Sequence, residues 1–597
     1  MTLKIGFVLV VVVLMVVGLV FEVARPDMIL FSVLTLFLLT GVLTPELALQ
    51  GFSNEGMLTI ALLFIIAGAI RKSGFFDRLI SRVLKSDRKP KWNLFKMMVP
   101  LSGLSAFVNN TPIVVTFTPI IRKWCEDHQL SPSKFLIPLS YCTILGGMIT
   151  LMGTSTNLVV HGWLTDREYQ GFSLFQLAIV GIPAAIVGLI YIATIGYKLL
   201  PNYKALSETF DENAREYLAE MAVEPHYAYL NQSIERAGLR NLQGLFLIEI
   251  IRGDERISPV NSTTQIQSGD RLIFTGMVST IAELQKIKGL RLESDSDLSL
   301  DTLESKNSQL VETVVSHQSS LLYSKLKDTQ FRGKYDAAVI AVHRNNERIK
   351  SKIGDITLKP GDTLLLLAGA DFMKRHSQYN DFYVVTPLDT TLVSEQEAKS
   401  ETRKGWIAVS TLLVMILMVT FQVLSMFKAM ALAVIILLVT KVITPEEAKK
   451  NVQFNILLLI ASALGIGTAL DKTGAASWVA SGLVQIGQPL GIVALLFIIY
   501  ILTNIFTETI TNSAAAAMMI PIAVSTAEQV DVDPTAFAVI VAIAASAAFI
   551  TPIGYQTNLI VYGPGRYRFV DYAKIGTPLN LIVMIMAVTI VYFYWVQ

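Results

Sequence analysis

Four short polar motifs interrupt otherwise apolar sequence. Ser105-Ala-Phe-Val-Asn109-Asn110-Thr111-Pro112 is matched by Thr507-Glu508-Thr509-Ile-Thr511-Asn512-Ser513, and Gly153-Thr154-Ser155-Thr156-Asn157 by Gly554-Tyr555-Gln556-Thr557-Asn558. Hydroxyl and carboxamide oxygens are hard ligands that suit an alkali cation, whereas amide N–H groups suit an anion. A helix starting just after such a motif adds unpaired backbone N–H groups and the positive end of its dipole. Thr551-Pro552 and Gly554 oppose continuous helix, so carbonyls should be freed there. No Lys or Arg lies in any of the four motifs. A bound anion would therefore lack a fixed protein cation, and helix dipoles supply only about half a charge each. Co-bound cations would complete the compensation, which is an argument for cation–anion symport. Glu508 is the one acid within a tip, and its counterpart in the other copy is Ala106. A carboxylate at membrane depth is a functional candidate, as a cation ligand, a proton carrier or a filter against the wrong anion. The competing reading is a solvated side chain in a water-filled vestibule. Any single Ser or Thr here reads equally well as a helix-packing group, but four motifs in two matched pairs read as a site.

The elements that carry these motifs are also written twice. Thr44-Pro45-Glu46 and Lys72-Ser73-Gly74 reappear as Thr444-Pro445-Glu446 and Lys472-Thr473-Gly474, and Pro119 has its counterpart in Pro521. A duplicated membrane unit with polar motifs at matching positions is the mark of a secondary transporter built from internal repeats.

With 52% hydrophobic and 16% charged residues over 597 positions, the chain departs from soluble composition and is too long for one core. A formal charge of +2 gives no reason to expect nucleic acid. Cys125 and Cys142 are the only cysteines and suggest neither a disulfide framework nor a metal site. The run from Ile5 to Val20 lacks a small-residue cleavage pattern and leads into a second apolar run, so a retained membrane helix is expected rather than a signal peptide. Gly465-Ile-Gly467 lies within an apolar segment and is no dinucleotide fingerprint, and no Walker motif occurs, which argues against ATP-driven transport. No covalent chemistry is indicated, so the chain reads as a non-enzyme.

Segments long enough to cross hydrocarbon fall near 5–22, 28–44, 56–70, 135–160 and 174–200, and again near 406–422, 427–441, 453–470, 535–562 and 574–596. Between the third and fourth of each set, 93–121 and 489–527 have a polar centre between two apolar arms. Such backbone at membrane depth needs protein or a water-filled cavity around it, so each reads as a re-entrant hairpin. Five crossings per copy require the copies to be inverted, and loop charges agree. Residues 71–92 are rich in Lys and Arg where 471–488 have only Lys472, and 441–452 carry three lysines where 44–55 have no basic residue. The stretch 71–92 also reads as an interfacial amphipathic helix or a plain charged loop. The expected fold is an all-α polytopic membrane protein: two inverted five-crossing repeats, residues 1–204 and 401–597, each with a re-entrant hairpin. Both termini would lie outside and residues 205–400 in the cytoplasm of a cell inner or plasma membrane.

The central stretch contains a repeat of its own. Arg252, Glu255-Arg256-Ile257 and Gly269-Asp270 recur 92 positions later as Arg344, Glu347-Arg348-Ile349 and Gly361-Asp362. Apolar runs at Leu245–Ile251, Leu272–Thr275, Ala337–Val342 and Leu364–Leu367 read as buried strands. Two tandem inserted α/β domains, 205–300 and 301–400, are expected, with a polar link near 291–307.

On the four motifs and the run Pro552-Ile-Gly-Tyr-Gln-Thr-Asn-Leu-Ile-Val-Tyr-Gly-Pro-Gly565, the chain resembles the divalent anion/sodium symporter family. Within it, the chain looks like the subgroup of sodium–sulfate and sodium–dicarboxylate carriers with two inserted TrkA-C-like domains. The resemblance implies one sodium site at Ser105, Asn110 and Gly153, and another at Thr507, Asn512 and Gly554. It implies anion contacts at Thr111, Asn512 and Ser513, with Asn110, Thr156 and Thr557 as further candidates. Asn109 and Thr511 replace the first serine of each family signature and keep an oxygen ligand, so they join the cation candidates. It further implies a homodimer with an elevator motion and Na+ as coupling ion. Sulfate is the anion most associated with the subgroup, and the inserted domains would be regulatory, with a nucleotide-type ligand or a purely structural role. A dicarboxylate symporter, a sodium/proton antiporter using Glu508, a gated anion channel and a non-transporting sensor stay open as alternatives.

Overall fold

The computed structural model describes residues 3–21, 23–72, 90–203, 402–597 and, with short gaps, 218–293 and 308–387. Most of the basic stretch 71–92 and of the polar link 291–307 lies outside the described residues.

The first helical part comprises α1 (Leu3–Val20), α2 (Pro26–Leu39), α3 (Pro45–Gln50), α4 (Glu55–Lys72), α5 (Pro90–Ser105), α6 (Asn110–Asp127), α7 (Leu136–Gly147), α8 (Ser155–Thr165) and α9 (Ala178–Tyr191). After the inserted region the pattern returns as α10 (Thr402–Thr420), α11 (Met426–Val439), α12 (Pro445–Asn451), α13 (Phe454–Lys472), α14 (Ala475–Gly487), α15 (Ile492–Thr509), α16 (Asn512–Gln529), α17 (Pro534–Ser546), α18 (Gln556–Tyr562) and α19 (Phe569–Val591). Among the described residues, six helical stretches are long and apolar enough to cross a membrane. The chain is a multi-pass, mostly helical membrane protein.

The repeated Thr-Pro-Glu has a local cause. Thr44 and Thr444 are extended N-caps whose hydroxyls accept from the N–H groups of Leu47 and Glu447, and Pro45 and Pro445 occupy the first turn where no N–H is missed. Glu447 completes a capping box by accepting from Thr444 N at 2.9 Å. It also takes Lys72 Nζ at 2.7 Å, so the cap of one repeat meets the helix end of the other.

The expected crossings 135–160 and 535–562 are each broken, as the glycines and Pro552 predict: α7 stops before α8, and α17 before α18. The arms of the two tips are separate helices, α5 and α6, then α15 and α16. Ala514 to Ala517 on α16 and nearly every residue of α17 are buried. Side chains this small bring backbones close, which is how helices associate where lipid removes the hydrophobic drive.

The inserted region holds two five-stranded sheets. The first has strands β1 (Leu218–Val223), β2 (Leu245–Arg252), β3 (Glu255–Ile257), β4 (Arg271–Gly276) and β5 (Leu290–Leu292) in the order β3-β2-β4-β1-β5. The second has β6 (Ser308–Val315), β7 (Ala337–Arg344), β8 (Glu347–Arg348), β9 (Thr363–Gly369) and β10 (Phe382–Pro387) in the order β10-β6-β9-β7-β8, the same topology read from the other edge. Even the register repeats: Met221 faces Leu272 and, 92 positions on, Thr313 faces Leu364. Arg252 pairs with Asp270 through both guanidinium nitrogens at 2.8 and 2.9 Å, and Arg344 with Asp362 at 2.7 and 2.6 Å. The repeated Arg and Gly-Asp therefore serve each fold, because Asp270 and Asp362 also cap the turns at Gln267 and Lys359. What the described residues show of the expected α/β domains is their sheets. Every described strand pair is antiparallel, and the described helical pieces of this region are short, such as Phe331–Tyr335.

Candidate functional site

Ser105 closes α5 and Asn110 opens α6. Ser105 Oγ lies 2.5 Å from Asn110 Oδ1 and 2.8 Å from the carbonyl oxygen of Thr143, and all three groups are buried. One hydroxyl hydrogen can satisfy one of the two acceptors, so three oxygens converge with a deficit of donors, an arrangement a small cation would relieve. Glycine makes room for it. A Cβ on Gly147 would stand 2.9 Å from Asn110 Oδ1, and one on Gly153 2.4 Å from the carbonyl oxygen of Gly147.

The second repeat builds part of the same frame, without a hydrogen bond between Thr507 and Asn512 among the described residues. Thr507 Oγ1 donates to the carbonyl oxygen of Ala545 at 2.6 Å, as Ser105 does to Thr143. Asn157 Nδ2 donates to Gly147 and Thr150 carbonyls at 3.3 and 2.8 Å, and Asn558 Nδ2 to the corresponding Ala548 and Thr551 at 3.0 and 3.1 Å. Thr150 Oγ1 donates to the Ala106 carbonyl, and Thr551 Oγ1 to that of Glu508 at 3.0 Å. In each repeat, then, the break between helices is tied to the neighbouring tip by backbone carbonyls, which satisfies groups that cannot be left bare in a membrane.

The repeats differ at Glu508. Its carboxylate accepts the backbone N–H groups of Ile550 and Thr551 at 2.7 and 2.8 Å, donors released where α17 ends. It is nearly buried, and a Cβ on Gly554 would meet Oε2 at 2.7 Å. The solvated-vestibule reading of Glu508 does not fit this position. The group is a buried, hydrogen-bonded carboxyl at the helix break.

Contacts between the repeats join the motifs. Asn110 Nδ2 donates to Tyr555 Oη at 2.8 Å, and the same hydroxyl shares a hydrogen with Thr154 Oγ1 at 2.9 Å. Ser155 and Ser513 hydroxyls are 3.0 Å apart, and Thr111 Oγ1 donates to Gln556 Oε1 at 3.3 Å. Thr156 meets Ser546 at 2.6 Å, and Ser140 meets Thr557 at 2.8 Å.

A cavity of about 230 Å³ opens beside the two tips, lined by Asn109, Thr111, Ser155, Thr511, Asn512, Ser513, Gly554 and Gln556. Thr511 Oγ1 and Asn512 Nδ2 are closed off from solvent and have no hydrogen-bond partner among the described residues. Neither α6 nor α16 is capped by the side chain of its N-cap residue, Asn109 or Thr511, so their first N–H groups add donors at the tips. Arg25, the N-cap of α2, and Asp27 in its first turn line the same cavity and pair at 3.2 Å.

Of the residues expected from sequence, Asn109, Thr111, Thr511, Asn512, Ser513 and Gly554 line the cavity. Ser105, Asn110, Gly153 and Thr507 lie behind it in the two oxygen frames, and Thr156 and Thr557 are wholly buried at the contacts between repeats. Sequence reasoning missed Tyr555, Gln556, Ser140, Ser546 and Arg25. Tyr555 and Gln556 carried a signal, since they stand where the first repeat has Thr154 and Ser155 and so break the internal match. Arg25 carried none.

The chain matches the family described as "Citrate transporter" over residues 16–542. It is 32% identical to a putative sulfur deprivation response regulator of Chlamydomonas reinhardtii, over 95% of this chain and 98% of that one. It is 33% identical to an uncharacterized transporter of Synechocystis sp., over 92% and 90%. A probable sodium/sulfate cotransporter of Chlamydomonas reinhardtii is 25% identical over 92% and 83%. With a match over most of its length, and with paired polar motifs around a cavity rather than a reaction centre, the chain belongs to the citrate transporter family, a family of transporters and not of enzymes.

Proposed function

We propose that this transporter is a sodium-coupled anion symporter and that its anion is sulfate. The observation that carries the reading is the pair of oxygen frames behind one donor-lined cavity. Ser105, Asn110, Gly147 and Gly153 would hold one Na+, and Thr507, Asn512, Gly554 and Glu508 the other, with Asn109 and Thr511 beside them. Thr111, Asn512 and Ser513, with the N-termini of α6 and α16, would donate to the anion, and Asn512 Nδ2 is a buried donor still to be used. Thr156 and Thr557 would act from behind by fixing the two helix breaks against each other. Relatives named as sodium/sulfate cotransporters support the choice of cation and anion.

In this reading the repeats are inverted, the termini lie outside, and residues 205–300 and 301–400 form two cytoplasmic TrkA-C-like domains that regulate transport. The protein works as an elevator-type homodimer. A second reading, a dicarboxylate symporter, is favoured by the name of a Staphylococcus saprophyticus relative, a sodium-dependent dicarboxylate transporter 29% identical over 25% of this chain, and shares a carboxylate substrate with the family's description. Radiolabelled sulfate uptake into proteoliposomes, with and without an inward Na+ gradient and with succinate as competitor, decides between them. Sodium-driven accumulation indifferent to succinate supports sulfate. No accumulation rejects it, and labelled succinate then tests the second reading.

A further inference from the structure

The two sheets share topology and register, so each position in one has a counterpart in the other, and several of their differences lie on the side that meets the membrane helices. In the first sheet, buried Glu220 pairs with Arg271 on the neighbouring strand, and half of Arg271 is open to solvent. In the second, the counterpart Glu312 has no such partner within its sheet among the described residues, because Arg271 is replaced by Thr363. Glu312 is paired instead with Arg122 of α6, the arm that follows the first tip, and both side chains are at most 3% exposed. A buried carboxylate without a cation would be strongly unfavourable, so the ion pair makes seating of this sheet on α6 conditional on Arg122.

Thr363 explains the exchange. Together with its register partner Val314 it abuts Gly563, just beyond α18: a Cβ there would lie 1.8 Å from Thr363 Oγ1 and 3.6 Å from Val314 Cγ2. An arginine at 363 would not fit. Val314 accordingly packs with the membrane helices rather than with the core of its own sheet.

The third difference is at Tyr323. Its backbone is left-handed, φ 59°, and so is that of its counterpart Asn231, φ 59°. Asparagine tolerates this conformation, and a bulky aromatic residue rarely adopts it. Tyr323 and Pro360, which stands where the first sheet has Ser268, line the cavity beneath the tips.

We propose that the second sheet is a gate. Docked on α6 and α18 through Glu312–Arg122 and Thr363–Gly563, it closes the cavity on its own side with Tyr323 and Pro360. Passage of the transported anion to that side requires it to lift. The first sheet, which keeps its own Arg271, does not dock in this way. The proposal rests on the cavity being the transport path.

The test uses the full chain in membrane vesicles with Ser155→Cys as a reporter inside the cavity and a membrane-impermeant maleimide on the side of the sheets. Labelling of the parent chain, which contains the buried Cys125 and Cys142, sets the background. Thr363→Arg, which gives Glu312 a partner at home and collides with Gly563, should speed labelling at least tenfold. Tyr323→Gly, which keeps the backbone conformation and removes the ring, should speed it even with the sheet docked. Unchanged labelling in Tyr323→Gly overturns the gate whether or not Thr363→Arg folds. In proteoliposomes, a short bismaleimide joining Pro360→Cys to Leu559→Cys should cut sulfate flux at least tenfold relative to either single variant. Full flux in the cross-linked protein also overturns the gate. Absence of sulfate flux in the parent chain would reject the sulfate reading alone, since the labelling comparison needs no substrate.

Discussion

Tyr555 Oη stands 2.8 Å from Asn110 Nδ2 and 2.9 Å from Thr154 Oγ1, so a phenol from the second repeat holds both polar motifs of the first. Asn110 is thereby oriented with its amide nitrogen toward Tyr555 and its carbonyl oxygen toward Ser105. Fixing that amide keeps Oδ1, and not Nδ2, available to a cation.

Tyr555→Phe removes the hydroxyl and leaves Asn110 Nδ2 buried without a partner, which costs about 1–3 kcal/mol. The amide is then free to turn. The expected outcome is a rise of roughly tenfold in the sodium concentration for half-maximal uptake, with the protein still inserted and folded. Sodium titration of uptake checks it.

Asn110→Ala and Asn512→Ala should each abolish sodium-dependent uptake, because each deletes an amide oxygen proposed to hold the coupling cation, and no lysine or arginine in either tip could compensate an anion in its place. Membrane insertion should persist, as measured by size-exclusion behaviour in detergent. Wild-type uptake in both variants would remove the tips from the site.

Glu508→Gln keeps the shape but puts an NH2 group where one of the Ile550 and Thr551 N–H donors needs an acceptor, and it removes the ionisable group beside Gly554. Uptake should be lost across about pH 6 to 8. A variant that still transports, but without any pH dependence, would make Glu508 a proton carrier instead.

Away from the membrane helices, Glu249 on β2 is fully buried and has no hydrogen-bond partner among the described residues. Arg256 Nη1 stands 3.6 Å away. Burial pushes its carboxyl up to about 7, against the opposing pull of Arg256. The folded form thus binds a proton more tightly than the unfolded chain does. Its stabilisation is fully present below the ordinary carboxylate value near 4.5 and is lost as pH rises toward 7. The first sheet should be more stable at pH 5 than at pH 8, by on the order of 2–3 kcal/mol, and Glu249→Gln should flatten that difference. Hydrogen exchange of residues 245–276 in the full chain at the two pH values reads it out.

How far the sequence could be read differs by element. The runs Leu245–Ile251 and Ala337–Val342 fall within β2 and β7, because a short apolar run between turn residues has little choice but a buried strand. The inner strands β1 and β6 were not legible. Their acids, Glu220 and Glu312, interrupt the apolar pattern, and only cations brought from elsewhere in the fold make those acids tolerable inside. Broken helices were legible at Gly153 and Gly554, where backbone chemistry is local. Which hydroxyl would meet which was not, since Ser155 and Ser513 lie 358 positions apart.

By itself, the sequence determined that the chain is duplicated, that it lives in a membrane, and that four polar motifs free of lysine and arginine interrupt its apolar segments. These follow from composition, period and local backbone preference. Tertiary structure alone decided that Tyr555 locks Asn110, that Glu508 is anchored by two backbone N–H groups, and that Glu312 draws its counter-ion from a membrane helix. Each of those contacts depends on the distance between groups remote in the chain, and a buried charge or amide takes its role from whatever partner the packing brings within about 3 Å.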